Sequence, residues 1–191
     1  MGKIEKEIRN IALKINRSDK ESRMVEGTAI VFNSDSTDLG FIEQIAPEAI
    51  NEDTIARSDV FCYLNHDESR GVLARCNNGK GSLDLWIAED GLHYRFEAPK
   101  TQLGDELLSY LDRGEITSSS FAFTVASDGD IWSRDMNNKL HRRITKIDRL
   151  FDVSPVFQPA YSATSSTRRK VDEFENLKEK IDAIQKEIDA L

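Results

Sequence analysis

Between residues 22 and 161 the chain alternates short apolar runs with polar breaks, and the runs are strand-sized. Val25-Glu-Gly-Thr-Ala-Ile-Val-Phe32 ends in the polar cluster Asn-Ser-Asp-Ser-Thr, which predicts a strand closed by a turn. Val60-Phe-Cys-Tyr-Leu64 is continuously apolar, the pattern of a strand buried on both faces. Leu83, Leu85 and Ile87 alternate with polar neighbours except at Trp86, and Leu92, Tyr94 and Phe96 alternate again after Asp90-Gly91. Two alternating runs about a tight turn predict a β-hairpin.

Helical spacing is sparser. A short helix is expected after Pro47. A longer one runs from Thr101 to Arg113, with Leu103, Leu107, Leu108 and Leu111 on one stripe and Gly114 as its stop. Many strands with few helices predict a mainly β, α+β fold, its strands forming a closed or nearly closed β-barrel over residues 1–161. Residues 162–170 (Ser-Ala-Thr-Ser-Ser-Thr-Arg-Arg-Lys) lack periodicity and read as a polar linker. Over residues 171–191, Val171, Phe174, Leu177, Ile181, Ile184, Ile188 and Leu191 recur in threes and fours, close to a coiled-coil seam. That C-terminal amphipathic helix can pack on the barrel or pair with a partner, a second copy in a homodimer or higher oligomer included.

Composition narrows the class. The 191 residues carry 26 Lys plus Arg against 34 Asp plus Glu, a net charge of −8 that argues against nucleic acid as the main partner. A hydrophobic share of 39% supports a real core, so one domain plus a tail is expected. Apolar runs stay below membrane-spanning length, so no membrane association is expected. Met1 to Arg9 is charged and lacks the apolar stretch of a secretory signal. Cys62 and Cys76 are too few for a disulfide scaffold and fit a reducing compartment.

Three residues carry the candidate chemistry. His66 follows the apolar run in Leu64-Asn-His-Asp67 and shares its phase with Val60, Cys62 and Leu64, at the rim of the core. Alone it reads as a hydrogen-bonded structural histidine before it reads as a site residue. In Thr117-Ser-Ser-Ser-Phe-Ala-Phe-Thr-Val125, Ser119 shares a face with Phe121, Phe123 and Val125, which define the core side. Ser120 then points the other way, beside Ala122, although serine runs are also ordinary polar loop segments. Asp152 lies within the apolar Leu150-Phe-Asp-Val-Ser154 and needs a partner, because burying an unpaired carboxylate costs several kcal/mol. Facing a histidine, it would orient the imidazole; Arg142 or Arg143 would be a structural alternative. His93 and His141 are placed on solvent-facing segments. Cys62, His66 and Cys76 would also make a C-x3-H-x9-C zinc set, a spacing that matches no strong metal signature. No cofactor is expected.

The ordered motifs resemble a known family. They are Glu26-Gly-Thr-Ala-Ile-Val-Phe-Asn33, Phe41-Ile-Glu-Gln-Ile-Ala-Pro47, Leu64-Asn-His-Asp67, Glu89-Asp-Gly-Leu92, Arg113-Gly-Glu-Ile-Thr-Ser-Ser-Ser-Phe-Ala-Phe123, Phe151-Asp-Val-Ser-Pro-Val156 and Pro159-Ala-Tyr161. Over residues 22–165 they resemble the HK97-type prohead proteases of tailed bacteriophages, related in fold to herpesvirus assemblin. The resemblance implies a serine endopeptidase with His66 as general base and Ser120 as nucleophile. Related phage enzymes usually carry Glu where Asp152 stands and the herpesvirus relatives use a second histidine, which leaves His141 as the alternative third member. Glu48 stands where the family tends to have glycine. The implied substrates are the scaffolding segment of the major capsid protein and the protease itself, within a procapsid assembled in the host cytoplasm. The C-terminal helix would then serve as a packaging address on a helical scaffold. A capsid assembly module without catalysis is the competing reading.

Overall fold

The computed structural model describes residues 6–11, 15–17, 21–157 and 165–189. The chain divides into two units, Met1–Tyr161 and Ser162–Leu191. The first opens with strands β1 (Glu7–Ile11), β2 (Asn16–Arg17), β3 (Met24–Val31) and β4 (Ile42–Ile45). A 3₁₀ turn at Pro47–Ala49 and the short helix α1 (Glu52–Ala56) follow, where a helix was expected after Pro47. Next come β5 (Asp59–Cys62), a 3₁₀ turn at Glu68–Arg70, β6 (Ala74–Asn77), β7 (Lys80–Gly81), β8 (Leu83–Ala88) and β9 (Gly91–Glu97). Helix α2 (Gln102–Asp112) leads into β10 (Ser118–Val125), β11 (Asp130–Arg134), β12 (Leu140–Ile144) and β13 (Ile147–Val156). The second unit holds α3 (Ser165–Asp189), which begins inside the stretch read as a linker.

The strands form three open sheets, in the orders β1-β10-β13-β5-β6-β7, β2-β3-β9-β8 and β11-β12-β4. The expected closed or nearly closed barrel is therefore incorrect. Closure needs edge strands that pair in a consistent stagger. The large sheet instead begins at five-residue β1 and ends at two-residue β7, with no ladder joining those edges among the described residues. The α+β composition holds.

Local chemistry explains the elements. Thr101 caps α2 by accepting the Gly104 N–H, and Gly114 leaves it with φ of +70°. Leu107 and Leu108 are buried, while Leu103 and Leu111 pack half-buried against the core. The β8–β9 hairpin turns at Glu89-Asp90, and Gly91 already pairs with Ala88. β5 buries one face and not two: Val60 and Cys62 are 0% exposed, whereas half-buried Phe61 stacks on Tyr63 with the Arg75 guanidinium above it. Gly27 is required by packing, because a Cβ there would stand 2.5 Å from the Tyr94 ring. That ring reaches into the core, where its hydroxyl meets Ser119 Oγ at 2.8 Å.

A buried ion network joins the large sheet to the three-stranded one. Arg142 on β12, its side chain 0% exposed, donates to Glu7 of β1, Glu43 of β4 and Asp130 of β11 at 2.6–2.9 Å. Arg9 donates to Glu43 at 2.5 and 3.0 Å and to Glu7 at 2.6 Å. Burial works against the Arg142 charge, but the surrounding carboxylates outweigh it and raise its pKa. In α3, Leu177, Ile181, Ile184 and Ile188 are each more than half exposed.

Candidate active site

The site is built on the middle of the large sheet. All eight residues of β10 are buried, and the alternation works as the sequence predicts. Phe121 and Phe123 face the core, and Ser119 turns inward to Tyr94. Across the antiparallel ladder to β13, Ser120 stands opposite Ser154 and Ala122 opposite Asp152. Cross-strand partners share a face, so Ser120 and Asp152 lie on the side away from the phenylalanines.

His66 reaches that face from a tight turn after β5. Asn65 and His66 both take left-handed backbone conformations, φ +57° and +58°. Such conformations cost about 1 kcal/mol or more for a residue with a Cβ and persist only where the surroundings enforce them. Here the Asn65 N–H donates to Pro155 O of β13 at 2.9 Å, and the Asp67 N–H donates to Leu64 O. Asp67 in turn accepts the Ser69 N–H, and Arg70 pairs with Glu106 of α2. The turn is thus tied to β13 on one side and to α2 on the other.

The three predicted residues come together. His66 Nε2 lies 2.5 Å from Ser120 Oγ, and His66 Nδ1 lies 2.6 Å from Asp152 Oδ1. The second contact is close, although Nδ1 makes no well-aligned hydrogen bond there, and it sets the Asp152 carboxylate beside the ring nitrogen. Asp152 is 1% exposed. Burial is the largest influence on its carboxyl and opposes ionisation. His66, Lys6 and Ser154 together outweigh burial and hold it below the ordinary aspartate range.

Two partners escaped the sequence reading. The Ser154 hydroxyl donates to Asp152 Oδ1 at 2.9 Å and accepts the Tyr63 N–H at 3.3 Å. Its position two residues beyond Asp152, on the same strand face, was the available signal. Lys6 Nζ stands 3.1 Å from Asp152 Oδ2, a contact with no sequence signal across so many intervening residues. In addition, the Ser120 hydroxyl lies 2.9 Å from the Arg9 carbonyl oxygen of β1, as donor to it.

The other candidates lie elsewhere. His141, on β12, meets Asp135 at 3.4 Å. His93 meets Thr28 and Asp90 and stacks on Trp86. Arg142 belongs to the ion network, and Arg143 donates to Gln44. Cys62 and Cys76 are buried, and burial pushes both thiols up in pKa, opposite to what a thiolate ligand needs. Among the described residues no group of three or more His, Cys, Asp or Glu is placed to share a metal ion.

A hydroxyl against an imidazole, with a buried carboxylate behind the ring, is the constellation of the serine hydrolases. The chain belongs to the family of caudovirus prohead serine proteases, whose pattern it matches over residues 10–179. No curated protein matches it. Among solved structures, that of the bacteriophage T4 capsid assembly protease, gp21, is similar at 11% identity and a TM-score of 0.46. The likeness covers 71% of this chain and 81% of that one.

Proposed function

We propose that this chain is a prohead maturation serine endopeptidase with Ser120 as nucleophile, His66 as general base and Asp152 as the residue that orients the imidazole. The observation that carries the reading is the 2.5 Å contact between His66 Nε2 and Ser120 Oγ with Asp152 behind the ring. His66 takes the hydroxyl proton as Ser120 Oγ bonds to the scissile carbonyl carbon. It gives that proton to the leaving amine as the C–N bond breaks, leaving an ester on Ser120. Water then attacks the ester carbonyl. His66 takes the water's proton and returns it to Ser120 Oγ as the acid product departs. While His66 is positive, the charge of Asp152 stabilises it. Of the two candidates for this third role, Asp152 is favoured over His141 by its place beside His66 Nδ1.

Family membership extends the proposal to substrates. They are the scaffolding part of the phage major capsid protein and this chain itself, cut inside the procapsid within the bacterial host. Co-expression with the cognate capsid protein tests this. The native chain is expected to shorten the capsid protein and itself, and Ser120→Ala to leave both intact, a loss of at least about 10³-fold. Processing that survives Ser120→Ala overturns the assignment. A native chain that cuts nothing yet co-assembles with capsid protein would support the non-catalytic assembly module instead.

A further inference from the structure

The candidate nucleophile is enclosed. Ser120 is 0% exposed, and its hydroxyl oxygen is flanked by His66 Nε2 and by the Arg9 carbonyl of β1. A scissile carbonyl carbon has to come within about 3–3.5 Å of that oxygen before it is attacked. His66 is needed where it stands, so the group that must yield is the backbone of β1. A serine hydroxyl also has a single hydrogen. While it is given to Arg9 O, His66 cannot accept it.

The same segment reaches the far end of the relay. Lys6, directly before β1, contacts Asp152 Oδ2, and His66 Nδ1 lacks an aligned bond to the carboxylate. Lys6 to Arg9 therefore engages Ser120 at one end and Asp152 at the other. Among the described residues β1 is an edge strand that pairs with β10 alone, antiparallel, with Asn10 opposite Ser120 and Ile8 opposite Ala122. Its departure would uncover the β10 ladder beside the nucleophile. An uncovered edge is a template on which an extended polypeptide adds as a strand.

The ion network can part without leaving a lone charge, and Asp152, on losing Lys6, would keep His66 and Ser154 beside it. Glu7 and Arg9 would leave as a pair of opposite sign. Arg142 would keep Glu43 and Asp130 as partners.

We propose that β1 is a built-in occupant of the substrate's place: it closes the site over Ser120, and an extended peptide segment pairs with β10 once β1 has left. This rests on Ser120 being the nucleophile. The peptide takes the antiparallel register of β1, with its scissile carbonyl in the neighbourhood now held by Arg9 O.

A disulfide staple in the full chain tests the proposal. Antiparallel partners such as Ile8 and Ala122 have Cα atoms about 4.5–5.5 Å apart, within disulfide range. In Ile8→Cys/Ala122→Cys, labelling of Ser120 by a fluorophosphonate probe is expected to fall at least tenfold on oxidation and to recover on reduction. The native chain under the same oxidation controls for buried Cys62 and Cys76. Arg9→Met, which loosens the strand, is expected to label faster than the native chain. Equal labelling of oxidised and reduced forms overturns the proposal. If no form is labelled, Ser120 is not the nucleophile, and hydrogen exchange then decides whether β1 departs. Departure predicts β1 amides at least 100-fold less protected than those of β13, and equal protection overturns it.

Discussion

Replacing Ser119 by alanine separates the two neighbouring serines. Ser119 Oγ and the Tyr94 hydroxyl meet at 2.8 Å, and both residues are 0% exposed. Removing the serine oxygen leaves the phenol with no water to replace it, a penalty of about 1–3 kcal/mol for an orphaned buried group. Tyr94→Phe orphans the serine in the same way and is expected to cost a similar amount. The double variant Ser119→Ala/Tyr94→Phe leaves neither group orphaned, so it should cost less than the sum of the singles by about 1–2 kcal/mol. Urea denaturation of the four proteins gives the cycle. Fluorophosphonate labelling at Ser120 should stay within a few-fold of native in Ser119→Ala, while Ser120→Ala should abolish it. An Ser119→Ala protein of native stability that no longer labels would reverse the phase of β10 and refute the reasoning.

Three further outcomes follow from the geometry. The Asp152 carboxyl sits lower in pKa folded than the ordinary value near 3.8 that it has when unfolded, so its ionisation favours the fold above that value. That contribution should be lost as pH falls through the lower folded value; Asp152→Asn should abolish the corresponding part of the acid limb in thermal unfolding against pH, and an unchanged limb would contradict the pairing. Arg142→Met leaves Glu7, Glu43 and Asp130 with Arg9 as the remaining guanidinium of the network and should destabilise by about 3–5 kcal/mol in urea, a loss below 1 kcal/mol meaning that the network is not desolvated. Deleting residues 171–191 removes the exposed seam of α3 and should leave Ser120 labelling unchanged while the protein disappears from purified proheads; normal incorporation would show that the seam is not the packaging address.

What could be read from the chain depended on the range of the interactions. The inward turn of Ser119 and the outward turn of Ser120 follow from period-two alternation against Phe121 and Phe123, a local signal. The β8–β9 hairpin and α2, with its Thr101 cap and Gly114 stop, are local for the same reason. Closure of the sheets is not local. It depends on which edges find each other, and nothing in the continuous apolar run of Val60 to Leu64 reveals that β5 lies parallel to β13 or that β7 is too short to pair onward. The segment Glu7-Ile-Arg-Asn-Ile11 shows why part of the site stayed hidden. Its two charges look like surface residues, yet both are buried because Arg142 and Glu43, far along the chain, supply their partners. The Arg9 carbonyl on that strand, and Lys6 directly before it, reach Ser120 and Asp152.

Whether the hydroxyl of Ser120 is the reactive group can be read directly. The chain is treated with a fluorophosphonate, digested and mapped by mass spectrometry, with His66→Ala and Asp152→Asn treated in parallel. A single adduct on Ser120 that vanishes in His66→Ala and is reduced in Asp152→Asn is the expected result. An adduct on another serine, or one on Ser120 that forms equally fast without His66, would contradict it.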